Sequence, residues 1–181
     1  MPAGPTDDNA SLDSGPPCVP SAAEILRGAR KLNAGLIEIF EYNRWATATL
    51  LDACRQLSSE ILGTRVNGVS GTIVELLVHL VGAQQTFVLR TKGRQHEGEL
   101  NRSSAFPGFD ELARLADESN AQLVEVARRL EDDATVDLPW GGKAYRFPVR
   151  FFLVHAMEHA MEHSHGAQGG SRPARDTDPG P

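Results

Sequence analysis

The chain has 181 residues, of which 40% are hydrophobic and 23% charged, values typical of one globular domain with its own core. Its formal net charge of −6 excludes the basic surface that nucleic-acid binding requires, and anionic membranes repel an acidic protein. Two cysteines are too few for a disulfide framework, and neither a signal peptide nor a membrane-spanning apolar stretch is evident. We therefore expect a cytoplasmic protein without nucleic-acid or membrane partners.

Both ends of the chain lack the apolar residues of a folded segment. Residues 1–20 are rich in proline, and residues 166–181 contain no periodic apolar positions. Such segments cannot bury enough surface to offset the entropy lost on ordering. The sequence therefore predicts a disordered leader over 1–20, one domain over 21–165 and a disordered tail over 166–181.

The first helical segment begins with a capping-box signal, Ser21 followed three residues later by Glu24. Gly28 and the Asn33–Gly35 step predict a bend or break before a main helix over 34–58. The apolar face of that helix contains Leu36, Phe40, Thr47, Leu50, Leu51 and Cys54. Asn43 falls on the same face, where it is either a packed polar contact or part of a site; we favour the packed contact.

A second helix is predicted over 71–91, opened by a capping box of Thr72 and Glu75. One side of it is apolar, and His79 lies at the edge of that side, where a lone histidine is usually a satisfied boundary residue. The following polar stretch, 92–108, has no helical or strand period, so His96 within it is predicted to be solvated.

The third helix is predicted over 109–131, with leucine, valine and alanine sharing one face. Two short alternating runs on either side of Gly141-Gly142 predict a small β-hairpin over 135–146. Pro148 fits the first turn of a final helix, where its missing N–H costs nothing.

The final helix, predicted over 147–164, carries His155, His159 and His163 at intervals of four residues. Each step of four drifts by roughly 40° around the axis, so the imidazoles form one stripe, about 6 Å apart along the helix. Two histidines at i and i+4 can bind one metal ion. An isolated pair more often fills the edge of a core, so the stripe indicates a metal site only if another segment supplies a ligand.

Apolar surface beyond the predicted core faces suggests self-association. Tyr42 and Trp45 lie off the main apolar face of the first helix, and the last helix is apolar on more than one side. Surplus apolar surface on a helical domain usually marks an interface. We therefore predict a homodimer.

Three stretches carry a resemblance to a known family: FEYNRWATATLLDA in the first helix, GTIVELLVHLVGAQ in the second and LVHAMEHAMEH in the last. In this order, over about residues 34–165, the chain resembles the DinB-like (DinB/YfiT) superfamily of bacterial metal-binding four-helix bundles. The resemblance implies an all-α four-helix bundle of up-down-down-up topology, for which the 92–108 loop provides the long crossover.

The resemblance also implies a set of metal ligands. In that family one histidine of the second helix and the His-x-x-x-His pair of the last helix bind a divalent metal, which corresponds here to His79, His159 and His163. His155 lies one turn earlier, where many relatives hold a histidine that is not a ligand. Zinc or nickel is the expected ion. The chain departs from the family after His163, where relatives continue with an arginine and a glutamine in the same helix.

Three neutral imidazoles leave a divalent ion with an open position, which suits catalysis by thiolate stabilisation or water activation. The resemblance favours a thiol S-transferase that joins a low-molecular-weight thiol to small electrophilic substrates, or a thiol-dependent isomerase. The alternatives are a non-catalytic metal-binding protein of the stress response and a metal-dependent hydrolase. A hydrolase needs a general base, and the sequence offers no unambiguous candidate. Glu162 either supports the ligands as a hydrogen-bond acceptor or lies in solvent.

Overall fold

The structure is a computed structural model that describes residues 21–65, 71–95, 100, 101 and 103–170. The leader predicted over 1–20, the end of the predicted tail and His96 lie outside these residues. Within them the chain is mostly helical, with one two-stranded hairpin. The elements in chain order are α1 (Ala22–Arg55), α2 (Ser59–Leu62), α3 (Ile73–Thr91), α4 (Phe109–Arg129), β1 (Thr135–Trp140), β2 (Lys143–Pro148) and α5 (Val149–Gly170).

The predicted break at the start of the first helix is wrong, because α1 is one helix of 34 residues. Its capping box is present as predicted: the Ser21 side chain accepts a hydrogen bond from the Glu24 N–H. A glycine inside a helix costs only about 1 kcal/mol, which tertiary contacts can outweigh. One such contact lies at the expected break, where Asn33 Nδ2 donates to the Leu130 carbonyl at 2.7 Å.

The last helix also differs from its prediction at both ends. It begins at Val149, directly after Pro148, which is the final residue of β2 rather than part of the first helical turn. It continues to Gly170, so residues 166–170 of the predicted tail are helical. The short helix α2 was not predicted; its Ser58 N-cap side chain accepts from the Ile61 N–H.

Helix α3 contradicts the expectation that no apolar stretch approaches the length of a membrane span. By length and composition alone it would pass for a membrane span, but 56% of the relevant window is buried inside the protein. Core helices of globular proteins commonly have this character. Its buried side chains include Leu76, Leu77, Leu80 and Val81, which pack against the other helices.

The core consists of two clusters of buried apolar side chains between the four long helices. One is centred on Leu51, Leu77 and Leu112, and the other on Phe40, Leu123 and Leu153. Helix α1 contacts both α4 and α5, and helix α3 contacts the same two helices. The crossover segment between α3 and α4 also contributes, since Leu100 and Phe106 pack on the first cluster.

Contacts along the helices fix their relative directions. Arg55 at the end of α1 pairs with Asp110 at the start of α4, and the earlier Asn33 contacts Leu130 beyond the end of α4, so these helices are antiparallel. Helices α3 and α5 are also antiparallel, because His79 lies beside His163 whereas the later Phe87 lies beside His155.

A buried polar network joins α1, α3 and α4 in the middle of the core. Asn43 Nδ2 donates to Asn120 Oδ1 at 2.7 Å, and Asn120 Nδ2 donates to Gln84 Oε1 at 3.2 Å. Ser119 Oγ also donates to Gln84 Oε1, and Gln84 Nε2 donates to Thr47 Oγ1. Asn43 is therefore the packed polar contact that the sequence favoured.

Asn120→Ala is expected to destabilise the protein by about 1–3 kcal/mol, because it leaves the buried Asn43 amide without its acceptor. Urea denaturation followed by circular dichroism measures the change. Gln122→Ala on the exposed side of α4 is the control and should cost no more than about 0.5 kcal/mol. Equal losses in the two variants would show that the network does not stabilise the fold.

The predicted hairpin is present and packs against the helices. Strands β1 and β2 are antiparallel, with Trp140 opposite Lys143 across a two-residue loop. Gly141 and Gly142 have φ of 55° and 78°, and this left-handed pair of conformations suits glycine in a tight hairpin turn. Leu138 belongs to the second core cluster and Phe147 packs against it, so the hairpin covers one side of that cluster.

Candidate metal site

Two core helices position the candidate site. His79 lies near the middle of α3, where the flanking Leu77 and Leu80 are buried and hold the helix in place. His159 and His163 lie one turn apart on α5, on the side where Ala160 packs into the core. Since α3 and α5 pack against each other, imidazoles from both helices meet between them.

The three imidazoles converge. Ligand nitrogens of His79, His159 and His163 all lie within 4.8 Å of one another. His159 Nε2 and His163 Nε2 are 3.1 Å apart, and the His79 ring centroid lies 5.0 Å and 4.8 Å from those of His159 and His163. Bonds of about 2.0–2.1 Å to a tetrahedral zinc ion place two nitrogens roughly 3.3 Å apart. The donor set therefore fits one divalent ion, which these histidines could hold.

One side of this cluster is closed and the other is open. His163 is only 5% exposed, whereas His79 and His159 are half-buried. Both half-buried rings line a cleft of about 370 Å³ together with Thr86, Phe87 and Asn101 among others. A small molecule in this cleft would therefore lie directly beside the imidazoles.

The remaining member of the predicted stripe, His155, lies outside the cluster. The exposed His155 packs against Phe87 and Phe151, with ring centroids 5.0 Å and 5.8 Å away, and is not part of the cluster. His165 and Glu162 are exposed as well. The cluster therefore contains the three residues that the family resemblance implied, and their role as metal ligands stays a prediction.

Two features of the cleft were missed by the sequence reasoning. Arg90, one helical turn beyond Phe87, lies in its wall. Gly82 lies opposite the Leu100 backbone, whose carbonyl oxygen is 2.0 Å from where a Cβ of residue 82 would lie. Only a glycine allows the crossover segment to approach α3 so closely. Gly82 and Arg90 lie three and eleven residues after His79. These spacings place them on nearly the same side of a helix as His79, which is the signal in the sequence that could have identified them.

Cys54 is the one cysteine among the described residues, and it lies in the core rather than at the site. Its side chain is buried, and burial raises the pKa of the thiol. Since the thiolate is the reactive form, Cys54 is an inert core residue.

Antiparallel core helices with three converging imidazoles beside an open cleft define a helical protein with a candidate divalent-metal centre. The chain belongs to the DinB family, whose model matches residues 29–168. This match confirms the resemblance carried by the three helical stretches. Comparison with curated proteins finds no match.

Proposed function

We propose that this DinB protein binds zinc or nickel through His79, His159 and His163 and acts as a thiol S-transferase on small electrophiles. The observation that carries the proposal is the cleft, because it opens beside two of the three imidazoles. A site that serves only structure is normally closed by a fourth protein ligand, whereas a catalytic site keeps a position for water or substrate. When bound, the ion supplies Lewis acidity, which lowers the pKa of a thiol or water at the remaining position.

The residues around the site suit a reaction between two small molecules. His163, the most buried of the three, anchors the set, while His79 and His159 border the space that the reactants would occupy. Because Cys54 is buried and inert, the reacting sulfur comes from a low-molecular-weight thiol rather than from the core of the chain. In the transfer, a carbon–sulfur bond forms, the leaving group departs with its electron pair, and the thiol proton goes to solvent.

Metal analysis followed by a thiol-consumption assay tests this function. Purified protein is expected to contain about one zinc or nickel ion per chain, and the loaded protein should accelerate conjugation of cysteine, as the small thiol, to monochlorobimane. His163→Ala should abolish the acceleration, while His165→Ala, which changes an exposed histidine outside the cleft, should keep most of it. A metal-loaded protein that accelerates no thiol conjugation with a panel of small thiols and electrophiles would favour the non-catalytic alternative.

The alternative activities receive less support from the site. A hydrolase would need a general base beside the bound water. Among the described residues that line the cleft there is no carboxylate, and His155 faces two phenylalanine rings. A thiol-dependent isomerase would use the same three histidines and the same thiol, and the conjugation assay extended to unsaturated acids would detect it.

We also propose that the four long helices form a four-helix bundle of up-down-down-up topology in a cytoplasmic protein. The antiparallel pairs α1/α4 and α3/α5 support this topology. Gln84 of α3 and Lys92, directly after its end, reach Asn120 and Gln122 of α4 in the same order, which supports a parallel pair joined by the long crossover.

We further propose that the protein is a homodimer that associates through α1. Ile39, Tyr42 and Trp45 are 43%, 60% and 62% exposed and follow each other at intervals of three residues, so they share the outer side of the helix. Helix α5, a neighbour of α1, exposes Val154 and Met161. Exposed apolar side chains grouped in this way mark an association surface.

Light scattering at micromolar concentration is expected to give the mass of a dimer, and Trp45→Glu should shift the protein to monomer because it places a charge in the proposed interface. Trp140→Glu, which changes a similarly exposed tryptophan at the end of β1, is the matched control and should leave the dimer intact. A monomer mass for the unmodified protein would refute the assignment.

A further inference from the structure

A second cleft adjoins the candidate metal site. It has a volume of about 450 Å³, within the usual range for small-molecule sites, and lies between the hairpin and the beginning of α5. Its walls are largely aromatic: Trp140, Phe147, Phe151 and Phe152. Arg90 and His155 line both clefts, so the two spaces meet at these side chains.

The aromatic walls leave apolar surface that a ligand would cover. Trp140 is 69% exposed and Phe151 48% exposed, while Phe147 stacks on Phe151 with ring centroids 6.0 Å apart. Gln95 donates a hydrogen bond to the Pro139 carbonyl, which holds the hairpin against the segment that follows α3. The cleft is therefore bounded by packed elements, and a planar apolar group fits its walls.

Arg90 provides the one cationic side chain among the described residues that line either cleft. Its guanidinium lies over the Phe87 ring, 5.5 Å from the centroid, and is partly buried. Within the described part of the chain no carboxylate pairs with it, whereas six other arginines have such a partner: Arg44, Arg55, Arg114, Arg128, Arg129 and Arg146.

Burial lowers the pKa of Arg90 from its ordinary value, because desolvation disfavours its charged form. An arginine nevertheless stays protonated, so the side chain remains a partly desolvated cation. A bound anion would offset that desolvation and accept two parallel hydrogen bonds from the guanidinium. One arginine in apolar surroundings balances the single charge of a carboxylate and leaves a phosphate dianion partly unneutralised.

We propose that Arg90 binds the carboxylate of a small aromatic acid whose ring lies between Trp140 and Phe151. In this arrangement the acid lies at the junction of the two clefts, next to the three-histidine cluster. An aromatic acid that also carries an electrophilic carbon with a leaving group is the substrate class of the proposed S-transferase, and in that respect the inference rests on the proposed function. The binding of the acid itself requires neither metal nor turnover.

A matched pair of probes tests the inference in metal-free protein. 1-Naphthaleneacetate and its neutral amide share the ring and differ in charge, and in a Trp45→Phe background Trp140 is the one remaining tryptophan. Quenching of its fluorescence should show that the acid binds more tightly than the amide. Arg90→Gln should weaken binding of the acid by about 10-fold or more and leave the amide unchanged. Arg94→Gln, an exposed arginine outside both clefts, should alter neither.

Several outcomes would overturn the inference: equal affinity for acid and amide, equal losses for both probes in Arg90→Gln, or the same loss in Arg94→Gln. Thermal melting shows whether Arg90→Gln is folded, and Arg90→Lys, which keeps the charge but loses the paired hydrogen bonds, should retain part of the preference for the acid. Repeating the titration in His163→Ala separates the two proposals. If His163→Ala still binds the acid more tightly than the amide, the proposed carboxylate site at Arg90 is supported even if the conjugation assay detects no activity.

Discussion

Replacing His79, His159 or His163 by alanine is expected to lower the affinity for zinc by more than about 100-fold. Changing a residue that merely supports a metal ligand costs 10–100-fold, and each of these histidines is predicted to bind the ion directly. Helix content should be largely unchanged, because the core clusters around the helices are apolar and do not include these side chains. Calorimetric titration of zinc and nickel into the metal-free variants gives the affinities.

His155→Ala and His165→Ala are the controls for this series. Both side chains are exposed, and His155 packs on Phe87 and Phe151 instead of the cluster, so metal affinity should change by less than about 3-fold. If His155→Ala abolished binding while His163→Ala did not, the assigned register of α5 would be wrong by one turn. An unchanged affinity in His79→Ala would remove the metal site and the function built on it.

Gly82→Ala is expected to destabilise the protein by about 1–3 kcal/mol, although alanine is the better helix former. The added Cβ would lie 2.0 Å from the Leu100 carbonyl oxygen and 2.6 Å from its carbon, so the crossover backbone has to move away from α3. Leu100 and Asn101 line the cleft beside His79 and His159. The displacement should therefore also alter the binding of small molecules at the site.

Gly35→Ala provides the matched control within α1, because among the described residues no atom beyond the neighbouring helix backbone lies within 4 Å of its added Cβ. This variant should stabilise the protein by about 0.5–1 kcal/mol, the ordinary difference in helix propensity. Urea denaturation of both variants measures the two changes in the free energy of unfolding. If Gly82→Ala were stabilised as much as Gly35→Ala, the close approach of the crossover segment to α3 would be disproved.

Local sequence patterns determined most of the secondary structure. Ser21 with Glu24 and Thr72 with Glu75 form the capping boxes they predicted, since each requires only residues three apart. The Gly-Gly step likewise specifies the tight hairpin turn without help from the rest of the fold. Apolar spacing at 3.6 residues per turn identified the buried sides of α1 and α4, as shown by Phe40 and Leu123.

Tertiary contacts decided what local patterns left open. Glycines suggested a break in the first helix, but contact with the end of α4 holds the segment at Asn33 and the helix is continuous. Asn43 was a buried polar position without a known partner, and its partner Asn120 lies 77 residues away. Hydrogen-bond partners so distant along the chain leave no periodic signal in the sequence.

The same limit applies to the candidate site. Spacing placed His155, His159 and His163 on one stripe, and only the family resemblance distinguished a pair within it. Because the stripe drifts by roughly 80° over two steps, its two ends face different neighbours. Packing of α5 against α3 places His163 beside His79 and turns His155 toward Phe87. The sequence by itself therefore determined the helices and the spacing of the imidazoles, whereas the antiparallel packing of two helices decided which imidazoles meet.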